Sequence, residues 1–311
     1  MAQNISVSVL LSSYNGEAFI EEQINSILSQ RGVSVSLTVR DDGSTDSTIK
    51  ILERLASQYE NICLLKGNNL GVANSFFALL KNASAVGNSG AQFYALADQD
   101  DVWNSDKLLN AVTALQSQPG DNVAMYCSAI EYVDAELNHL QNSDIYSSDK
   151  VGFNNALVQN IATGCTIVLN RPAIAKIVVE FPELCVMHDW WIYLVVSAFG
   201  KVIYDPNPAM KYRQHGHNVM GISRSAIQRF RRRWARLFSN VKSTKTSLQL
   251  IEFNRLYGNE LNKKQKELLH SLISYKANMR WRLALIFRND FQRQSNIDNL
   301  LLRLTMLIGR F

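Results

Sequence analysis

Apolar positions in the first hundred residues fall into short runs that alternate with stretches of helical spacing. Ile5-Ser-Val-Ser-Val-Leu-Leu11 reads as a strand, Ser12-Ser13-Tyr14-Asn15-Gly16 as a turn, and in residues 17–28 the apolar positions recur along one helix face. Residues 33–39 repeat the strand, and Arg40-Asp41-Asp42-Gly43-Ser44-Thr45-Asp46 leads into a helix ending near Tyr59. A third strand at 62–65 passes through Gly67-Asn-Asn-Leu-Gly71 into a helix over 72–82. This alternation predicts an α/β fold with a mostly parallel sheet, helices on both faces and ligands at the carboxyl ends of the strands.

Residues 92–97 read as a buried strand that ends in Asp98-Gln99-Asp100-Asp101. Three carboxylates within four positions repel one another unless a cation sits among them, and hard oxygen ligands suit Mg²⁺ or Mn²⁺. An Asp-rich turn that caps the next helix through Asp101 and Asp106 accounts for the same residues. If the sheet is parallel, Asp41 and Asp42 share one rim with Asp98 and Asp100.

With 311 residues, 47% of them hydrophobic, the chain can bury one large core or two modest ones. Cys63, Cys127, Cys165 and Cys185 are far apart and lack CxxC pairing, so they read as reduced core thiols. The chain opens without a signal-peptide pattern and holds no apolar run of membrane-spanning length, which predicts a cytoplasmic location.

The net charge of +5 conceals an asymmetry: residues 224–311 carry 19 Lys and Arg against 5 Asp and Glu, whereas residues 1–223 carry 13 against 22. We therefore expect a catalytic domain over 1–223 and a basic helical region over 224–311, with helices near 224–239, 245–257, 262–288 and 295–309. The first of these places Ile227, Phe230, Trp234, Leu237 and Phe238 along one stripe among arginines, the pattern of a helix that lies on an anionic membrane surface. A helical bundle with a solvated basic face fits the same pattern. Nucleic-acid binding is not expected, since the tail matches no helix-turn-helix, zinc-finger or RNA-binding signature.

Tyr14-Asn15-Gly16-Glu17, Asp41-Asp42-Gly43-Ser44-Thr45-Asp46, Asn69-Leu-Gly71-Val72-Ala73, Asp98-Gln-Asp100-Asp101, Thr163-Gly164-Cys165 and His188-Asp189-Trp190-Trp191 occur in this order. In these six motifs the chain resembles family 2 glycosyltransferases of the GT-A fold, with a Rossmann-like, mostly parallel sheet, over residues 5–221. Tyr212-Arg213-Gln214-His215-Gly216-His217-Asn218 is similar to a signature of bacterial rhamnosyltransferase-like members that build surface polysaccharides such as O-antigen.

The resemblance implies an inverting, metal-dependent transfer from a dTDP- or UDP-sugar, with L-rhamnose from dTDP-rhamnose favoured and UDP-glucose or UDP-galactose as the alternative donor. It implies an acceptor glycan on a polyprenyl diphosphate, met at the inner face of the membrane. By the same resemblance Asp100 and His215 hold Mn²⁺ or Mg²⁺, His215 being preferred to His217 because it occupies the family position. Asp98 takes the ribose and the metal's surroundings, Asp42 accepts from the base, and Ser13, Tyr14 and Glu17 are further nucleotide contacts. Arg213 clamps phosphate, as a guanidinium fork can. Asp189 matches the catalytic carboxylate that takes the acceptor's proton, and it would also serve as a helix cap. Trp190 and Trp191 form either a stacking wall for the acceptor sugar or part of a core.

Two rival functions remain at this stage. Asp98-Gln-Asp100-Asp101-Val102 satisfies the D-x-D-x-[TV] pattern of haloacid-dehalogenase-like phosphotransferases, although in that family it normally follows the first strand. A non-enzymatic nucleotide-sugar or lipid-carrier binding subunit is the second, against which the intact Asp189 argues.

Overall fold

Strand β1 (Ser6–Ser13) carries Val7, Val9, Leu10 and Leu11, all completely buried. Such a run belongs to an interior strand covered on both faces. The structure is a computed structural model that describes residues 5–85, 90–215, 240–275 and 279–311, apart from the side chains of 240–244 and 281. The expected amphipathic helix at 224–239, with Ile227, Phe230, Trp234, Leu237 and Phe238, lies outside the described residues, as does His217.

After β1 come α1 (Ile20–Leu28), β2 (Ser34–Asp41), α2 (Thr48–Gln58), β3 (Ile62–Lys66), α3 (Val72–Ala85) and β4 (Phe93–Ala97). Helix α1 forms as its spacing predicts: Ile20, Gln23, Ile24 and Ile27 are buried, with Glu21 and Glu22 in its first turn. The chain continues through β5 (Val102–Trp103), α4 (Lys107–Gln116), β6 (Ala124–Ser128), β7 (Glu131–Val133), β8 (His139–Asn142), α5 (Phe153–Ala156), β9 (Val168–Asn170) and α6 (Arg171–Ile177). It then forms α7 (His188–Phe199), β10 (Lys201–Asp205), β11 (Met210–Arg213), α8 (Asn240–Tyr257), α9 (Lys263–Ser274), α10 (Met279–Ile286) and α11 (Asn296–Leu307). Of the helix expected over 262–288, the described residues form α9 and α10, and 276–278 lie outside them.

Seven strands form one sheet in the order β10-β6-β9-β4-β1-β2-β3. It is parallel throughout except at β9, which runs antiparallel to both β4 and β6. Ser13 stands opposite Asp41 and Leu11 opposite Ala97, so β1, β2 and β4 end at one edge. The acidic turns that follow these strands share that rim. A second sheet, β5-β11-β7-β8, pairs β11 antiparallel with β5, which sets the chain after Arg213 beside the Asp98–Asp101 turn. The turn into β10 requires glycine, since a Cβ on Gly200 would fall 1.9 Å from the Val123 carbonyl oxygen.

The chain packs as two units. Those described residues that fall within 1–145, 162–179 and 200–219 form the first, and those within 146–161, 180–199 and 220–311 the second. Two stretches before the expected division at 223, 146–161 and 180–199, pack in the same unit as the C-terminal helices. Trp191 explains one of the two: its ring lies 5.9 Å from that of Phe253 and 6.2 Å from that of Tyr257, both on α8. Phe153, 6.0 Å from Phe253, explains the other. Helix α9 opens on a capping box between Asn262 and Gln265, which satisfies donors that its first turn leaves unpaired. No described helix is long and apolar enough to cross a membrane. Cys127, Cys165 and Cys185 are at least partly buried, whereas Cys63, on β3, is exposed rather than in the core.

Candidate active site

The first unit assembles its rim from three turns tied to one another. Tyr14 N–H donates to Gln99 Oε1 at 2.8 Å and Gln99 Nε2 donates back to the Tyr14 carbonyl at 3.0 Å, which joins the β1 turn to the acidic turn after β4. Asp42 N–H donates to the Ser13 carbonyl at 2.8 Å, which joins β1 to the β2 turn. Gln23, buried on α1, donates to the Asp98 carbonyl at 3.0 Å. Polar groups that a solvated loop would spend on water thus fix the rim's shape.

Within the β2 turn the carboxylates divide their tasks. Asp41 accepts from the amides of Gly43 (3.1 Å) and Ser44 (2.9 Å) and from the hydroxyls of Ser44 (2.6 Å) and Ser13 (3.1 Å). This Asx-type turn holds Gly43 at φ +85°, in the left-handed region. Asp42 is buried and pairs with Arg40, while its two oxygens accept from the amides of Leu70 and Gly71, each at 2.9 Å. Asp42 therefore also anchors the Gly67–Gly71 turn. Glu17 caps the neighbouring helix, its Oε2 accepting from Ser47 N–H at 2.8 Å. Tyr14 leaves its side chain exposed on the rim.

Asp98 and Asp100 stand partly exposed at the end of β4, and Asp101 lies completely buried behind them. Asp100 Oδ2 is 2.8 Å from His215 Nε2, and the imidazole stacks on Phe19 with ring centres 5.1 Å apart. Ligand atoms of Asp98, Asp101 and Cys165 lie within 4.8 Å of one another. Asp101 Oδ2 has no hydrogen-bond partner among the described residues. Burial, reinforced by Asp100 and Asp98, holds its carboxyl well above the usual carboxylate range. Burial also pushes the Cys165 thiol well up, so it is a neutral sulfur and a poor ligand for a hard cation.

Helix-capping does not explain the acidic cluster. Helix α4 begins at Lys107, and its cap residue Asp106 makes no capping hydrogen bond through its side chain. The acidic set fits a divalent cation instead: partly exposed carboxylates and an imidazole meet at one rim.

Lys107 is a buried neighbour of the acidic turn that sequence spacing did not reveal. Fully buried, it donates to the Cys165 carbonyl at 2.5 Å and lies 3.3 Å above the Trp103 ring. Burial pushes its pKa down to about 7, and the nearby Cys165, Asp101 and Asp98 oppose that shift. A lysine at the start of a helix ordinarily reads as a solvated charge, and no local pattern distinguishes this one.

Arg213, expected to clamp phosphate, bonds protein groups. Its side chain is buried, with Nε donating to the Asp100 carbonyl at 3.0 Å, Nη1 to the Ala135 carbonyl and Nη2 to Glu22. The guanidinium also covers the Phe19 ring at 4.6 Å. All three nitrogens are directed into the fold, so Arg213 works as a strut for the Asp100 backbone. Ser13 is also turned inward: its hydroxyl is committed to Asp41, and the residue is 1% exposed.

Asp189, Trp190 and Trp191 belong to the second unit. Asp189 sits in the first turn of α7, its Oδ1 accepting from Trp190 N–H at 2.6 Å, so the helix terminus orients the carboxylate. Trp191 is completely buried and cannot be a stacking wall; it is core, packed on Phe253 and Tyr257. Trp190 is also buried, and its indole N–H donates to the Ala156 carbonyl at 2.7 Å.

His188, buried at the start of α7, makes a prediction about acid stability. Burial disfavours its charged form and pushes its pKa from 6.5 down to about 3. The folded state keeps the ring neutral while the unfolded chain takes up a proton, so stability is complete above pH 6.5 and is lost as the pH falls towards 3. At 1.36 kcal/mol per pH unit, the residue should cost about 2 kcal/mol between pH 7 and pH 5. Urea unfolding at both pH values should show a loss smaller by about that amount in His188→Gln than in the parent. Equal losses in the two proteins would show that His188 does not govern acid sensitivity.

Comparison with known proteins agrees with this geometry. A sequence profile of glycosyl transferase family 2 matches residues 8–178. The chain is 29% identical over 238 residues to the dTDP-rhamnosyl transferase RfbG of Shigella flexneri, spanning 71% of this chain and 77% of that one. It is 28% identical over 192 residues to the UDP-Glc:alpha-D-GlcNAc-diphosphoundecaprenol beta-1,3-glucosyltransferase WfgD of Escherichia coli, over 61% and 69% of the two chains. Its fold is similar to that of S. aureus TarS 1–349 in complex with UDP-GlcNAc, with a TM-score of 0.55 at 16% identity over 99% of this chain and 93% of that one. It is also similar to the mannosyltransferase PcManGT from Pyrobaculum calidifontis in complex with GDP-Man and Mn2+, with a TM-score of 0.51 at 15% identity over 98% and 85%. The acidic motif follows the fourth strand rather than the first, which removes the phosphotransferase reading, and the profile covers more than half of the chain: it belongs to glycosyl transferase family 2 and is a glycosyltransferase of the GT-A fold.

Proposed function

We propose that the chain transfers L-rhamnose from dTDP-rhamnose, with inversion, to a hydroxyl of a growing bacterial surface glycan such as O-antigen, carried on a polyprenyl diphosphate at the inner face of the membrane. The observation that carries the reaction class is the Asp98, Asp100 and His215 rim at the carboxyl edge of the sheet. The sugar rests on the similarity to the Shigella rhamnosyl transferase, and the lipid carrier on the similarity to the E. coli enzyme, whose name specifies a diphosphoundecaprenol acceptor. That second relative supports UDP-glucose as the alternative donor.

Asp98, Asp100 and His215 would hold Mn²⁺ or Mg²⁺. When bound, the cation supplies Lewis-acid stabilisation of the diphosphate leaving group. Arg213 fixes the Asp100 backbone, and the Tyr14–Gln99 pairing fixes the turn where the base and ribose would lie. The Tyr14 ring and the edge of Asp42 are the candidate nucleotide contacts. Asp189 takes the proton of the attacking hydroxyl as its oxygen bonds to the anomeric carbon and the bond to the diphosphate breaks. Attack on the face opposite the leaving group inverts the centre.

The donor is tested by supplying dTDP-rhamnose, UDP-glucose and UDP-galactose separately with one lipid-diphosphate acceptor. Transfer from dTDP-rhamnose at least ten times faster than from either UDP-sugar supports the reading, with the margin set by the roughly 1–3 kcal/mol that pocket contacts give in discrimination. Faster transfer from UDP-glucose would move the assignment to the alternative. Full activity in EDTA would remove the metal.

A further inference from the structure

The C-terminal pair α10 and α11 has apolar side chains facing two ways. On α11, Leu302 and Met306 are buried, yet Ile297, Leu300, Leu304 and Ile308 are between 40 and 59% exposed. Their spacing of three and four residues places them on one face of the helix. Leu301 and Leu307 lie partly exposed on its shoulders. On α10, Leu285 is buried while Met279, Leu283 and, just beyond the helix, Phe287 form a second exposed row, Phe287 reaching 80%.

This is not the general character of the second unit. The neighbouring α9 turns Lys263, Lys264, Glu267 and His270 to solvent, as a helix on a water-facing surface should. Seven large apolar side chains exposed within thirty residues form more than scattered surface hydrophobics, and such faces mark interaction sites.

Charge selects the partner. Residues 279–311 hold six arginines and two aspartates. Arg280, Arg303 and Arg310 are exposed, with Arg280 on the open side of α10. Asp290 is paired with Arg288 at 2.8 Å. A second copy of this chain would bring the same arginines against these, an opposed arrangement of like charge. A phospholipid surface with anionic headgroups offers apolar depth to the leucines and counter-charge to the guanidiniums together. No described helix is able to cross the bilayer, so the contact is one of lying on it.

We infer that the exposed faces of α10 and α11 dock on an anionic phospholipid bilayer and hold the enzyme on that surface. This deepens the lipid-carried acceptor reading above, because it brings a chain whose described helices include no span to the plane where such an acceptor resides.

The test uses the full chain and sucrose-loaded vesicles free of any acceptor, made of phosphatidylcholine alone or of equal parts phosphatidylcholine and phosphatidylglycerol. The parent should sediment with the anionic vesicles and scarcely with the neutral ones. Leu300→Gln/Leu304→Gln/Ile308→Gln changes only exposed positions, so far-UV circular dichroism and the melting temperature should hold. Its partitioning should fall on the order of tenfold or more, given the free energy that large apolar side chains gain on burial. Leu283→Gln/Phe287→Gln on α10 gives an independent reading if the triple variant does not fold. Transfer to a short water-soluble acceptor should be unchanged in both.

Parent protein that ignores anionic vesicles, or variants that bind them as the parent does, would overturn the inference. So would a dimeric parent in sedimentation whose variants become monomeric while vesicle binding persists. Failure of vesicle binding leaves sugar transfer to the soluble acceptor untouched, and failure of that transfer leaves vesicle binding untouched, so the two readings fall separately.

Discussion

Asp100→Ala should reduce sugar transfer by on the order of 10³-fold or more and abolish Mn²⁺-dependent nucleotide binding, with the fold intact. The carboxylate is only partly buried and meets no packing demand, so its removal leaves no large cavity. Its Oδ2 lies 2.8 Å from His215, the one imidazole of the rim among the described residues, and both side chains are partly open to solvent. Asp101 cannot take its place, because it is wholly buried behind the turn and held towards its neutral form by burial and by its acidic neighbours. Nor can Cys165, whose thiol burial keeps protonated. Titrating Mn²⁺ into the variant by electron paramagnetic resonance, with and without nucleotide, separates lost metal from lost chemistry. Parent-like Mn²⁺ affinity in Asp100→Ala would mean that the ion instead sits where the partly exposed Asp98 meets the buried Asp101 and Cys165.

The second large effect belongs to Asp189→Asn. Asparagine keeps the size of the side chain and its carbonyl oxygen, so it can still accept from Trp190 N–H as Asp189 Oδ1 does at 2.6 Å. It cannot take a proton from the acceptor hydroxyl. Turnover should therefore fall by roughly 10²–10⁴, the usual contribution of a general base. Donor affinity, measured by calorimetry with the nucleotide, should be unchanged, since the proposed nucleotide contacts lie in the other unit. A variant that loses donor binding, or that melts well below the parent, would show instead that Asp189 is there to cap α7.

The parallel core was readable because strands buried on both faces appear as continuous apolar runs. β1, β2, β3 and β4 all fall within two residues of their expected limits. β9 was not readable: three residues, Val168–Asn170, are too few to establish a period, and their antiparallel pairing depends on β4 and β6, more than forty residues away. β5, with two residues, escapes for the same reason. Among the proposed site residues, Asp98 and Asp100 stand out in the sequence because unbalanced carboxylates at a strand end demand a partner. For Arg213 and Ser13 the residue type suggests contact with a ligand, but it does not reveal partners such as Glu22 and Asp41, distant in sequence, that draw the side chains inward. Trp191 shows the same limit, since its burial depends on Phe253 and Tyr257 on α8. Helical spacing can mark an apolar face, but it does not say which face another helix will cover. On α11 both the covered and the open face are apolar.

The most direct test of the account is the structure of the product itself. Parent enzyme, dTDP-rhamnose, Mn²⁺ and a synthetic lipid-diphosphate acceptor should yield an acceptor heavier by one deoxyhexose in the mass spectrum. The one-bond carbon–proton coupling at the anomeric centre of that product should report a configuration opposite to the donor's, and Asp189→Asn should form the same product far more slowly. Transfer with the donor's configuration retained, or nucleotide-sugar binding with no product from any donor, would contradict it.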